Sequence, residues 1–271
     1  MSIYDTIRFY CSGGRVDDVH QLYDLLRPQT CEGLRKLRFG NGSGDGGYVM
    51  VDDFTDIRTA LSLGIGGDIS WDVEMTQRGL EIYQYDHTVE PPPECAVNPK
   101  LHFHRWGIAG KADHARRLKT IEEILSDEMS GYSGDLVLKI DIDGYEWDAF
   151  SQMPDGVLRR FRQICIEIHN PLARPTQRAQ RIRNLTVLKV LHQRFAPVHL
   201  HANNAGPVRE LFGLKVPKLL EITYLRRDGQ KFTDSQEAFP GELDVKNVSI
   251  NPEIEIGTIV GLKTSLTRNA T

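Results

Sequence analysis

Hydrophobic residues along this chain fall into short runs separated by helix-like segments. Runs at Ala60–Leu63, Ile82–Tyr85, Leu101–Trp106, Leu136–Ile142, Ile164–Ile168, Val198–Leu200 and Leu219–Leu225 are largely apolar, which predicts buried strands. Between them the period changes. Residues 15–27 carry Val16, Val19, Leu22 and Leu26 on one helical face and stop before Pro28. Ser70 is placed to cap a helix with Asp72 and Glu74 in its first turn and Gly79 at its end. Thr120-Ile-Glu-Glu123 has the capping-box form, opening a helix toward Met129. Gln177 to Phe195 aligns Ile182, Leu185, Leu188 and Leu191. Strands alternating with helices predict an α/β, doubly wound, Rossmann-like and largely parallel sheet. The expected organisation is a single domain: a helical cap over residues 1–37, a core over 38–228, and a C-terminal extension over 229–271. That extension is rich in Gly, Pro, Asn and charge, with one apolar burst at Ile254–Leu262.

Composition narrows the class. A chain of 271 residues buries a core without staples. Cys11, Cys31, Cys95 and Cys165 form no C-x-x-C pair, which speaks for reduced thiols and against a zinc knuckle or redox motif. No basic region followed by an apolar stretch opens the chain, and no window has the length of a membrane span. A cytoplasmic protein is expected, and the sequons at Asn184, Asn247 and Asn269 are then chance matches. The balance of 33 basic and 37 acidic residues, without a basic run interleaved with aromatics, implies no nucleic-acid partner. The densest basic stretch, with Arg174, Arg178, Arg181 and Arg183, reads as a solvated helix face. A homo-oligomer is compatible with all of this.

Two glycine clusters resemble nucleotide-binding loops. Gly42-Ser-Gly-Asp-Gly-Gly47 has the G-x-G-x-x-G spacing, but it follows no good strand and opens into Tyr48-Val-Met-Val51 rather than a helix, so it reads as a flexible hairpin or loop. Leu63-Gly64-Ile-Gly66-Gly67-Asp68 has better surroundings, an apolar strand before it and the Ser70 helix after it. Its third fingerprint position is Ile69, which disfavours NAD, because a small residue there allows the packing that a pyrophosphate site needs. Asp86 ends the next strand, where this fold sets an acid against ribose hydroxyls; a strand-end turn former is the plainer alternative. A ligand in that crevice would be lined by Gly64, Ile65, Gly66 and Asp68, by Asp86 and His87, and by Trp106 and Asp141.

Three later strands end in titratable or amide side chains: Asp141-Ile-Asp143, Glu167-Ile-His169 and His199-Leu-His201-Ala-Asn-Asn204. Ligands of open α/β sheets bind outside such carboxyl ends. Lys139 lies within its strand and is expected to snorkel. Trp106 and Trp147 are candidates for walling a ligand, with core packing as the plainer role. Glu146 follows the tight Asp143-Gly144 turn, and complementing a helix dipole accounts for it without chemistry.

The string Lys139-Ile-Asp-Ile-Asp-Gly-Tyr-Glu-Trp147 resembles the FkbM-like family of class I S-adenosylmethionine (SAM)-dependent methyltransferases. Asp45-Gly-Gly-Tyr48, Leu63-Gly64, His199-Leu-His-Ala-Asn-Asn204 and Leu220-Glu-Ile-Thr-Tyr224 support it, over residues 38–250. Two details depart from the family pattern: the first loop is Gly-Ile-Gly-Gly-Asp, and Asp86-His87-Thr88 replaces the more usual Glu-Pro. The resemblance implies a seven-stranded sheet with an antiparallel final pair, SAM over Gly64 and Gly66, and Asp86 on its ribose. It also implies O-methylation, often of sugar hydroxyls in polysaccharides or glycosylated metabolites. Methyl transfer to a hydroxyl needs alignment and a base. His169 and Asp141 are the first candidates, Asp143 and His201 the next, and a buried, satisfied histidine is the plainer reading of each imidazole. Asp141, Glu167 and His169 are also candidates for holding Mg²⁺ or Mn²⁺. Two other classes stay open, an NAD-dependent nucleotide-sugar enzyme and a catalytically inactive binding module on the same fold.

Overall fold

Apolar strands with no solvent side need covering on both faces, and the seven runs meet that need in one sheet. The computed structural model describes residues 3–174 and 177–259. Numbered in chain order, the central strands are β1 (Thr59–Leu63), β2 (Glu81–Tyr85), β3 (Leu101–His104), β4 (Leu136–Ile140), β5 (Phe161–His169), β6 (Phe195–Ala202) and β7 (Leu219–Arg226). Their order across the sheet is β3-β2-β1-β4-β5-β7-β6. Only β7 runs against the rest, antiparallel to both β5 and β6. The helices are α1 (Ile3–Cys11), α2 (Val16–Leu25), α3 (Ser70–Gln77), α4 (Ile121–Glu128), α5 (Glu146–Gln152), α6 (Asp155–Leu158) and α7 (Arg178–Arg194).

The two faces of the sheet differ in chemistry. Leu61, Leu63, Leu138, Ile140, Ile166, Ile168 and Ile222 face one way and pack with residues of α2, α4, α5 and α7 such as Leu22, Ile124, Phe150 and Leu188. Side chains alternate along a strand, so their neighbours face the other way. There Ala60, Ile82, Val137 and Cys165 meet Trp71 and Met75 of α3 and Phe39, Tyr48 and Met50 of a hairpin, Lys36–Gly40 against Gly47–Val51. The same face carries Gln163, Lys139, Glu167, Glu221, Thr223, His199 and His201, all buried. Buried polar groups need partners, and the hairpin supplies them. Gln163 Oε1 accepts from Val51 N–H at 3.1 Å, and its Nε2 donates to the carbonyls of Val51 and Asp53 at 3.0 Å each. Thr223 donates to the Val49 carbonyl.

The capping box of α4 forms as expected, with Glu123 N–H on Thr120 Oγ1 at 3.1 Å and Thr120 N–H on Glu123 Oε2 at 3.0 Å. Four expectations are corrected. Ser70 does not cap α3; Asp68 Oδ1 accepts from Ser70 N–H at 2.7 Å, because a carboxylate two residues earlier answers the helix dipole better than a hydroxyl. Ile182 is exposed, and Asn184 and Val187 share the buried face of α7 with Leu185, Leu188 and Leu191. Arg181 is not on a solvated face: it is buried, 3.1 Å from Asp18 and over the Phe9 ring. The glycine cluster at 42–47 does follow a strand, Lys36–Gly40. The helix α1 falls within the expected helical cap, although the helical spacing is read only over residues 15–27; its Phe9 is fully buried. No helix among the described residues is long and apolar enough to cross a membrane.

The extension joins the same domain. Phe232–Asp234 pairs antiparallel with Gln29–Cys31, and Ala238–Phe239 pairs with Gly257–Thr258. Of the apolar burst, Ile254 and Ile256 pack on the core and Ile259 is buried, while 260–262, like the sequon at Asn269, lie outside the described residues. Residues 241–256 strap across the polar face at β6 and β7. His199 Nε2 meets Asp244 Oδ1 at 2.7 Å, and Asn204 Nδ2 donates to the Val248 carbonyl at 3.0 Å. His201 lies between Glu221 Oε2 at 3.0 Å and Glu253 Oε1 at 3.1 Å.

The His201 pairing makes the strap pH-sensitive. Burial alone would lower the pKa of this imidazole, but Glu221, Asp244 and Glu253 win and raise it to about 9, with His199 as the neighbouring imidazole on its own strand. A value above the unfolded one, near 6.5, means that the contribution is complete below pH 6.5 and is lost as pH rises through 9. A shift of that size corresponds to about 3 kcal/mol. The difference in unfolding free energy between wild type and His201→Gln should therefore shrink by about that much between pH 6 and 10 in urea titrations. A difference that stays constant over this range would refute the charged clasp.

Candidate functional site

The strand order reverses direction at β1, with β2 on one side and β4 on the other. In doubly wound sheets, the crevice at such a switch point is where ligands bind. A cleft of about 560 Å³ lies there, lined from the ends of β1 (Gly64–Asp68), β2 (Tyr85–Thr88) and β4 (Lys139, Asp141, Ile142, Asp143, Tyr145), from Gly107 and Ile108, and from Asp45, Gly46 and Tyr48 of the hairpin. A wider groove of about 840 Å³ runs outside α3 toward Glu90–Glu94 and shares Gly66, Gly67 and Asp68 with the cleft. We place the site in the smaller one, because five separate chain segments converge there.

Gly64 is what brings β1 and β4 together at the crevice floor. Its φ is +78°, and a β-carbon on it would lie 1.7 Å from the Asp141 carbonyl oxygen. Lys139 Nζ donates to the Gly64 carbonyl at 3.0 Å, so the lysine, expected to snorkel, is buried and ties the same loop from below. Asp86 also acts on this loop. Its Oδ2 accepts from Ile65 N–H at 2.9 Å and Gly66 N–H at 3.1 Å, and its Oδ1 from Thr88 N–H at 2.7 Å and Thr88 Oγ1 at 2.6 Å. Burial pushes this carboxyl up, but the Thr88, Gly66 and Ile65 bonds outweigh it and hold the pKa below the usual range. In this arrangement Asp86 organises the loop that forms the cleft.

His87 and Asp68 line the cleft as the sequence suggested, and Trp106 does not. The indole lies edge-on to His114, with Lys119 Nζ 5.2 Å from its ring, and the adjacent Gly107 and Ile108 take the lining position instead. A β-carbon on Gly107 would meet His87 Nδ1 at 2.4 Å, so this glycine lets the histidine sit against the wall. Trp147 is a core residue whose Nε1 donates to the His169 carbonyl at 2.6 Å.

At the β4–β5 end the acids gather. Asp141, Glu167 and His169 each bring one ligand-type atom within 4.8 Å of the others. His169 Nε2 lies 3.3 Å from Glu167 Oε1 and 3.7 Å from the exposed Asp143. Burial raises the carboxyl pKa of both Asp141 and Glu167, and Glu167 is raised further by Asp141 and Glu221. Burial would lower His169, but Glu146, Glu167 and Asp141 hold it above the ordinary imidazole value. Glu146 is fully buried and braces the site: Oε1 accepts from His169 N–H at 2.6 Å and Oε2 from Gly144 N–H at 2.8 Å.

The hairpin loop forms the rim and is not left free. Arg38 holds the carbonyls of Asn41 and Gly44 at 2.8 and 3.0 Å, Asn41 Nδ2 reaches Asp68 at 2.9 Å, and Asn247 of the strap donates to Asp45 at 2.9 Å and to Glu221 at 2.5 Å. Tyr48 is inserted under this rim. Burial, with Asp141, Glu221, Glu167 and Asp45 around it, raises its hydroxyl pKa well above the ordinary value, so it stays protonated. His201 is away from the cleft lining, with both ring nitrogens on carboxylates. Sequence reasoning had Asn203 only as one of the amides ending a strand and Glu221 only within a family string, gave neither a role, and missed Asn247. Asn203 stands at the end of β6, and Glu221 shares the parity of Thr223 on β7, but Asn247 left no pattern to find. No protein-family model matches the chain, and a search of curated proteins finds no match.

The glycine loop yields a sharp contrast. Gly64→Ala should cost about 3 kcal/mol or more in urea unfolding, from the clash with Asp141 and a left-handed backbone. At Gly67, with nothing within 4 Å of a β-carbon, the same change should stay within about 1 kcal/mol. Equal effects at both positions would contradict the close crossing.

Proposed function

We propose that this chain is a SAM-dependent O-methyltransferase that methylates a hydroxyl of a sugar, polysaccharide precursor or glycosylated metabolite. The observation that carries this reading is the charge of the cleft, in which five aspartates (Asp45, Asp68, Asp86, Asp141, Asp143) face one lysine, Lys139. Such a lining attracts a sulfonium cation and repels a pyrophosphate. Asp68 already holds the N-terminus of α3, where the phosphates of a dinucleotide would sit. This disfavours the NAD-dependent nucleotide-sugar alternative. A binding module has no need of several buried acids at adjacent strand ends, since burying them is costly. The seven-stranded sheet with β7 antiparallel beside β6 is compatible with the family resemblance, and the class I assignment rests on that resemblance together with the site.

SAM supplies a methyl group on positively charged sulfur; the acceptor oxygen attacks it in line, and the carbon–sulfur electron pair stays on sulfur. The chain's task is to align the two and to take the hydroxyl proton. Asp141 is the group suited to that proton, because it lines the cleft and its carboxylate accepts no hydrogen bond from the described residues. Lys139 is the lining cation that balances the carboxylate of the cofactor, and Asp86 keeps the Gly64–Gly67 loop in its cleft-forming shape.

Calorimetry tests this directly. SAM and S-adenosylhomocysteine should bind in the micromolar range, and NAD should show no binding. Asp86→Ala should weaken SAM at least tenfold, since charge-assisted hydrogen bonds contribute about 1.5–3 kcal/mol each. It should also lower thermal stability by releasing the loop. NAD binding without SAM binding would overturn the reading, and unchanged SAM affinity in Asp86→Ala would remove Asp86 from the site.

A further inference from the structure

We infer that Asp141, Glu167 and His169 bind one divalent transition-metal ion, with Mn²⁺ the best-matched probe. The inference deepens the methyltransferase reading and rests on it for what the ion does, but not for whether it binds. The three donor atoms lie within 4.8 Å of one another, and His169 Nε2 is 3.3 Å from Glu167 Oε1. Two neighbouring ligands, each about 2.1 Å from an ion, are about 3 Å apart. His169 Nε2 and Glu167 Oε1 already stand near that separation, and Asp141, within 4.8 Å of both, needs only a side-chain adjustment to join them.

Charge points the same way. Among the described residues Glu167 accepts one hydrogen bond, from Asn203 Nδ2 at 2.6 Å on Oε2, which leaves Oε1 toward His169. The Asp141 carboxylate accepts none from the described residues. Lys139, the nearby lysine, gives a hydrogen bond to the Gly64 carbonyl. Carboxylates brought together out of water are stable when paired or when they coordinate a metal.

The surroundings fix the donors as metal sites do. A ligating histidine presents its other nitrogen to a carboxylate that holds the ring. His169 Nδ1 is buried 3.3 Å from Glu146 Oε1, and no hydrogen bond completes the pair in this ring orientation. A small rotation of the imidazole onto an ion at Nε2 would let Nδ1–H close that bond. Asn203 is oriented in turn by Ala205 N–H on its Oδ1 at 2.9 Å. One imidazole with two carboxylates suits Mn²⁺ or a later transition metal better than Mg²⁺, which prefers oxygen and retains its water. Three protein ligands leave positions open for an acceptor oxygen. The bound hydroxyl would pass its proton to the second oxygen of Asp141, as its oxygen forms the new bond to the methyl carbon.

The test uses the full chain, stripped with EDTA and dialysed, with Mn²⁺ followed by electron paramagnetic resonance and calorimetry and SAM binding measured on the same samples. We expect one Mn²⁺ per chain with micromolar affinity, and Mg²⁺ at least tenfold weaker. Asp141→Asn and Glu167→Gln should each weaken Mn²⁺ at least tenfold, and Glu146→Gln about 10–100-fold although it keeps all three donors. Asp141 makes no side-chain hydrogen bond among the described residues, so its variant should fold even if Glu167→Gln does not. No Mn²⁺ binding up to about 1 mM, binding undiminished in Asp141→Asn, or Mg²⁺ bound as tightly as Mn²⁺ would each overturn the site. Mn²⁺ bound as expected while SAM fails to bind would reject the methyltransferase reading alone. SAM bound while Mn²⁺ is not would reject the ion alone.

Discussion

A sheet face that carries Gln163, Lys139, Glu167 and Glu221 cannot be sealed by an apolar helix, because each of those groups would lose its water and gain nothing. The rest of the molecule follows from that constraint. Helices α2, α4, α5 and α7 cover the opposite, aliphatic face; α3 covers the apolar part of the Gln163 face around Ala60 and Ile82, and its polar part is covered by elements able to make hydrogen bonds. The hairpin offers backbone groups to Gln163 and Thr223, and the strap offers Asp244, Asn247 and Glu253 to His199, Glu221 and His201. Where this covering ends, at the carboxyl ends of β1 and β4, Asp68, Asp141 and Asp143 line the cleft.

The same constraint separates residues that look alike in sequence. His169 and His201 both end strands beside an acid two positions or one strand away. The first faces carboxylates with coordination capacity to spare, Asp141 and Glu167. The second is closed off by Glu221 and Glu253, one on each nitrogen. The packing of the strap is what closes off one imidazole and not the other, and the strap has no periodicity to announce it.

Much of the frame was legible because burial on both faces leaves a strong signal: all seven central strands, the 70–77 and 121–128 helices, and the crevice at Gly64 follow from apolar runs and glycine placement. What was not legible depends on partners far away in sequence. Arg181 reads as a surface charge until Asp18 and Phe9 surround it. Trp106 reads as a wall, but the turn after β3 presents Gly107 and Ile108 to the cleft. Ser70 has the right chemistry for a cap, but Asp68 holds the position. Asp86 stands where the fold predicts an acid, yet its four hydrogen bonds run to the loop and to Thr88, a use that spacing alone does not reveal.

The rim of the cleft joins Asp45 to Asn247, residues 202 positions apart, while the strand beside the N-terminal helices pairs with Phe232–Asp234. A chain leaving the ribosome would have the Gly64 loop, Asp86 and Asp141 in hand long before it could close the edge formed by β6, β7 and the strap. Until then Glu221 and His201 have no cover, and the hairpin loop lacks its far anchor. Synthesis thus delivers the Gly64 side of the crevice first and its β6–β7 edge last, so a truncated product would hold a crevice without a finished rim.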